Sequence, residues 1–155
     1  MAYELVKTVH VLSATVLFGT GIGIAYFFLM GMRSGDPAAA WFAARTTAVA
    51  DMIFTLTAGI VQPASGLLLI HFTGQDPMKG WLLATYALYA LALACWLPVV
   101  WLQLSIRDMW RAKLDGVEVD EALMRSRMRG WFVLGWPAFG GLVVIFWLMV
   151  AKPPL

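Results

Sequence analysis

Four long apolar stretches separated by short polar ones dominate this chain, and their lengths set its class. They run from about Leu5 to Gly31, Thr46 to Phe72, Trp81 to Ile106 and Trp131 to Ala151. Each reaches the ~20 residues that a helix needs to cross the hydrocarbon core of a bilayer. None alternates with period two, so the strands of a transmembrane β-barrel are not expected. The pattern predicts an all-α transmembrane four-helix bundle of up-down topology, with residues 1–155 as one integral membrane domain.

The polar stretches carry turn chemistry. Met32–Arg45 holds Arg33, Gly35, Asp36, Pro37 and Arg45, and Thr73–Gly80 holds Gly74, Asp76, Pro77 and Lys79. Both read as connectors. The third, Arg107–Gly130, is the longest and most charged. Arg107–Leu114 can continue the third helix, Asp115-Gly116 reads as a turn, and Asp120 suits the N-cap of a helix over Glu121–Arg129. A helical hairpin standing off the membrane is therefore expected between the third and fourth spans.

Composition sharpens the class. Apolar residues make up 61% and charged residues 13% of the 155, against ~45–50% and ~25% in soluble domains. So short a chain cannot hide that much apolar surface from water, and lipid accepts the remainder. The net charge of +2 is too small to suggest nucleic acid, and the single cysteine, Cys95, cannot form an internal disulfide. The first apolar run is too long for the core of a signal peptide, and no small-residue cleavage site follows a short one. Lys and Arg near the helix ends predict orientation. Arg33, Arg45, Arg107, Arg111, Lys113, Arg125, Arg127 and Arg129 fall in the first and third connectors, against Lys7, Lys79 and Lys152 on the other side. That bias of eight to three predicts a cytoplasmic hairpin and periplasmic termini in a bacterial inner membrane.

Polar groups inside the spans are costly in lipid, so they hold the functional information. On the second span Asp51, Thr55, Ala58, Gln62 and Ser65 recur every three or four residues, with Gly59 and Gly66 alongside. The stripe reads equally as a cavity wall or as a helix–helix contact with a few hydrogen bonds. Pairing with Arg45 or Arg129 is the expected answer to the charge of Asp51. Pro63 deprives the Gly59 carbonyl of its helical partner and predicts a kink. The first span carries Lys7 and His10 one turn apart, then Gly19, Gly21 and Gly23, which suit close packing or a ligand groove. On the third span Tyr86, Tyr89, Trp96 and Gln103 share helical spacing, and read as core packing or as a stacking wall. Pro98 and Pro137 lie beside Trp96 and Trp136. No zinc spacing, phosphate loop, Ser–His–Asp set or Met cluster for copper stands in the chain.

His10 lies about two turns inside the outer boundary, where a neutral imidazole can ligate haem iron or hydrogen-bond across the bundle. Lys7 and Lys152 lie at the same end and could neutralise propionates. For the opposite axial position the candidates are His71, at the end of the second span, and Met149, near the end of the fourth.

The opening Leu5-Val6-Lys7-Thr8-Val9-His10-Val11-Leu12 resembles the first helix of the HemJ family of haem-binding protoporphyrinogen oxidases. Pro63-Ala64-Ser65-Gly66-Leu67-Leu68-Leu69 is similar to that family's Pro-x-x-x-Thr-Gly-Leu region, one residue shorter. Val150-Ala151-Lys152-Pro153 is similar to its closing Val-x-Lys-Pro. Over nearly the full length the chain resembles an uncharacterised family of predicted four-helix bacterial integral membrane proteins, in Leu12–Gly23, Trp96–Gln103 and the Trp136-Pro137 pair. The HemJ resemblance implies a haem b ligand at His10 with Lys7 and Lys152 as its basic neighbours. The family's other histidines have no counterpart, since Met32 or Arg33 and the Trp96–Trp101 stretch stand at those positions.

The sequence thus leads to a haem b-binding membrane protein engaged in electron transfer, or an oxidoreductase acting on a lipophilic partner such as a quinone or porphyrin. His10 and His71 would be the metal ligands, with Met149 as the alternative to His71. The rival reading is a non-catalytic assembly partner or small transporter without haem, in which His10 only makes hydrogen bonds. The bilayer is the partner common to both, and a homo-oligomer is compatible with either.

Overall fold

The computed structural model describes residues 1–154 and is helical from Ala2 to Ala151 apart from three short breaks. Its four long helices are Ala2–Arg33, Pro37–Thr73, Gly80–Leu114 and Glu121–Ala151, each long and apolar enough to cross a membrane. There is no strand among the described residues. The all-α four-helix reading therefore holds, and consecutive helices run up and down through tight connectors.

The second helix starts nine residues earlier than the apolar pattern suggests, at Pro37 rather than Thr46. Asp36 explains the shift. Its side chain accepts from the Ala38 amide at 3.0 Å, and Pro37 occupies the first helical turn, where its missing N–H costs nothing. Only Ser34–Asp36 remain as connector, with Gly35 at φ +75°. The Met32–Arg45 stretch is thus mostly helix. The hairpin after the third span is present: the third helix runs on to Leu114, Gly116 turns at φ +77°, and Asp120 caps the fourth helix by accepting from Ala122 and Leu123. Lys113 and Glu121 pair across that turn.

The second helix is not uniform. Pro37–Ala50 is α-helical, Asp51–Thr55 is a π turn in which the Leu56 amide bonds back to the Asp51 carbonyl, and Leu56–Thr73 is α-helical again. The first helix packs along its whole neighbour, whereas the third packs chiefly on Pro37–Ala50. The third and fourth helices likewise form an extensive pair. Phe18 closes the ring by meeting Phe139 and Phe146 of the fourth helix edge-on.

Two apolar clusters hold the ends. Phe28, Ala40, Ala44, Val99, Leu102, Ile106, Trp110, Met124 and Trp131 form the larger, at the hairpin end. Trp81, Leu82 and Leu148 form the smaller, at the terminal end. Small residues permit the closest approach: a methyl group at Gly31 would collide with Ala43. Gly19 and Gly23 do not serve this way, since a Cβ at either would meet nothing within 4 Å. Gly21 alone of the three lies against another helix, at Phe139. At the hairpin end Arg45 and Arg111 both stack on Trp41, at 5.6 and 5.2 Å from the ring centre, and Arg127 stacks on Trp101 at 5.3 Å.

Pro63 lies inside the second helix and leaves the Gly59 carbonyl without its i+4 donor. The hydroxyl of Tyr89, from the third helix, donates to that carbonyl. In lipid a freed carbonyl needs such a substitute, and this one ties the two helix pairs together in mid-membrane. Tyr89→Phe is expected to destabilise the bundle by about 1 kcal/mol, the scale of an interhelical hydrogen bond in a membrane. Restoring the helical donor with Pro63→Ala should remove most of that cost. Thermal unfolding of both single variants and the double variant in detergent checks the coupling, and additive effects would contradict it.

Candidate functional site

Two polar sites lie within the spans, and they differ in how completely they are satisfied. The first surrounds His10. The Ser65 hydroxyl lies 2.7 Å from the Val61 carbonyl, which can only accept, so its proton goes there. Ser65 Oγ then accepts from His10 Nδ1–H at 2.8 Å. Gln62 Nε2 donates to His10 Nε2 at 3.2 Å, and Gln62 Oε1 accepts from the Ser13 hydroxyl. Every proton has a place if the imidazole is neutral. The result is a bridge between the first and second helices, seated against Gly66, where a Cβ would stand 3.3 Å from the imidazole.

The other residues expected near a haem are not gathered around His10. His71 is exposed, beside Phe72. Met149 packs on the Trp81–Leu82–Leu148 cluster, and Lys152 lies over the Trp81 ring at 5.8 Å. Lys7 lies over Tyr3 of its own helix at 5.8 Å. Among the described residues no group of three or more His, Cys, Asp or Glu could share a metal ion. What fits an iron is a single ligand: Nδ1–H fixed by Ser65 leaves Nε2 as the basic nitrogen, the second-sphere arrangement of a metal-binding imidazole, provided that the Gln62 amide turns away.

The second site is a cavity of about 640 Å³ between the helix pairs. Tyr89, Trp96, Trp131, Trp136 and Phe139 give it aromatic walls, and Gly21, Gly59 and Gly135 leave it room. Ile60, Leu93, Phe132 and Trp136 line it and are also exposed on the outer surface of the bundle, so it opens sideways. Asp51, Thr55 and Gln103 form its polar end. The polar stripe of the second helix and the aromatic stripe of the third thus both contribute, although only Asp51 and Thr55 of the former line it.

Asp51 pairs with neither Arg45 nor Arg129, contrary to expectation. Asp51 is only 3% exposed and makes no ion pair among the described residues. The reason is depth. With the helix starting at Pro37, Asp51 lies fourteen residues in, roughly 21 Å from the end at 1.5 Å per residue. Arg45 is taken up by Trp41 at the end of the bundle. Trp96 Nε1–H donates to Asp51 Oδ1 at a long 3.4 Å, and Thr55 and Gln103 stand beside the carboxyl group. Thr55 Oγ1, Gln103 Oε1 and Trp131 Nε1 are buried without a hydrogen-bond partner. Buried polar atoms are normally paired, so three such atoms on one cavity mark a site rather than a packing detail. Gln103 and Asp51 were visible in sequence as stripe members. The unpaired state of either was not, because it depends on which helices meet.

Because Asp51 has no cation to lose, neutralising it should not cost stability. Asp51→Asn is expected to unfold in detergent at the wild-type temperature or above. A drop of more than a few degrees would reveal a cationic partner.

No curated protein and no solved structure matches the chain. A family model does match, over residues 4–153. The four spans are those of an integral membrane protein, and the chain belongs to the family described as predicted integral membrane protein (DUF2269).

Proposed function

We propose that this protein is an intramembrane receptor or carrier for a lipophilic small molecule, which enters sideways from the bilayer and lodges between the helix pairs. One observation carries the reading: a cavity of about 640 Å³ with aromatic walls ends on three polar side chains, two of which hold unpartnered buried oxygens. That volume lies within the range of small-molecule sites, and a few convergent polar groups on an apolar wall are their usual chemistry. The eight-to-three bias of basic residues supports the hairpin as cytoplasmic and the termini as periplasmic in a bacterial inner membrane. A quinone is the redox-active member of the ligand class.

Gly135 tests the cavity, because it lines the space and a Cβ there meets nothing within 4 Å. Gly135→Phe is expected to fill the cavity without straining the helix, since phenylalanine is preferred to glycine in a helix interior. Native mass spectrometry from nanodiscs should find a one-to-one lipophilic adduct on the wild type and lose it in the variant. No adduct, or one of equal occupancy in both, counts against the reading.

A second reading keeps haem b on His10, favoured by the Ser65 bond that makes Nε2 the basic nitrogen, which the Gln62 amide would have to release. Protein purified from haem-replete cells should then show a Soret band, and His10→Ala should alter the reduced spectrum. Absence of the band ends this reading, and an unchanged spectrum removes His10 from it.

A further inference from the structure

The polar end of the cavity says more about the molecule than the apolar walls do. Asp51 supplies a carboxyl group, Thr55 a hydroxyl oxygen and Gln103 an amide oxygen, all at one end of the space. Gln103 is only 3% exposed, and its Oε1 has no partner. Each offers an oxygen that can accept, Asp51 is the charged residue of the lining, and Trp96 Nε1–H reaches it only at 3.4 Å. No lysine or arginine lines the cavity. Arg45, Arg111 and Arg127 stack on tryptophans at the hairpin end instead, and Lys7 and Lys152 lie over Tyr3 and Trp81. The lining thus holds a buried acid and no cation to match it.

Resting on the cavity reading above, we propose that the occupant is an amphiphilic amine, with its ammonium head between Asp51, Thr55 and Gln103 and its apolar body in the aromatic part of the cavity. A primary ammonium brings three N–H donors to three acceptors and neutralises the carboxylate with charge-assisted hydrogen bonds. A quinone serves the site less well. Its carbonyls only accept, so they could take the Trp131 N–H but would leave Gln103 Oε1 without a donor and Asp51 without a counter-charge. An alkali ion would use the oxygens but leave the apolar volume unexplained. The Trp131 N–H is left for an acceptor elsewhere on the molecule.

The protein in phosphatidylcholine nanodiscs is titrated at neutral pH with dodecylamine, dodecanol and decylubiquinone, with tryptophan fluorescence as the signal. Nanodiscs carrying Gly135→Phe give the background for partition into lipid. Dodecylamine is expected to saturate and to bind more tightly than the other two. Asp51→Asn should weaken it by roughly tenfold or more, the scale of a lost charge-assisted hydrogen bond, while dodecanol is unaffected. Gln103→Met, which keeps the volume, should weaken the amine in the same direction and reads the assignment if Asp51→Asn does not fold. Equal amine affinity in wild type and variants, or tighter binding of decylubiquinone, overturns the amine and leaves the cavity reading standing. No saturable signal from any of the three overturns both.

Discussion

The structure depends on a solvent that neither repels apolar surface nor supplies hydrogen bonds. No more than 17% of any spanning window is buried inside the protein, so lipid is the main neighbour of every helix. In that solvent leucine and phenylalanine gain little by meeting each other, and association rests on close packing and on polar groups that find partners. Gly31 against Ala43 supplies the first, and the His10–Ser65–Gln62–Ser13 bridge supplies the second. The Tyr89 hydroxyl answers the same need when it takes up the carbonyl that Pro63 leaves free.

Against that background the two polar sites are opposites. Around His10 each donor has an acceptor, and the network is closed. Around Asp51 three atoms, two oxygens and the Trp131 N–H, have no partner at all. The irregular backbone lies on the same side. The π turn of Asp51–Thr55 and the proline at 63 bracket the wall that the second helix presents to the cavity. π turns are rare and occur often at functional sites, and here the turn carries both Asp51 and Thr55.

Much of the fold was legible because membrane spans depend on length and polarity, both one-dimensional. The hairpin and its Asp120 cap were legible for a similar reason, since capping is local. The start of the second helix was missed because Arg33, Gly35, Asp36, Pro37 and Arg45 together read as turn chemistry, while the Asp36-Pro37 cap that starts the helix among them spans two residues. Gly19 and Gly23 misled in the other direction: their spacing suits a helix contact, but no helix comes close. The candidate site was half legible. Both stripes could be read from spacing, whereas their convergence on one cavity, the donor found by Gly59 and the solitude of Asp51 depend on how the helices are arranged in space.

The pairing of neighbours also bears on how the protein is made. The first helix packs along the second and the third along the fourth, so each pair joins segments that are adjacent in the chain. Local contacts of this kind form early and quickly. Each hairpin can thus assemble as it enters the bilayer, and one late step remains, the docking of Pro37–Ala50 onto the third helix. Ala40 and Ala44 are fully buried in the cluster at that end. The cavity comes into being only at that step, so the unfinished protein presents Asp51 to the bilayer without its walls.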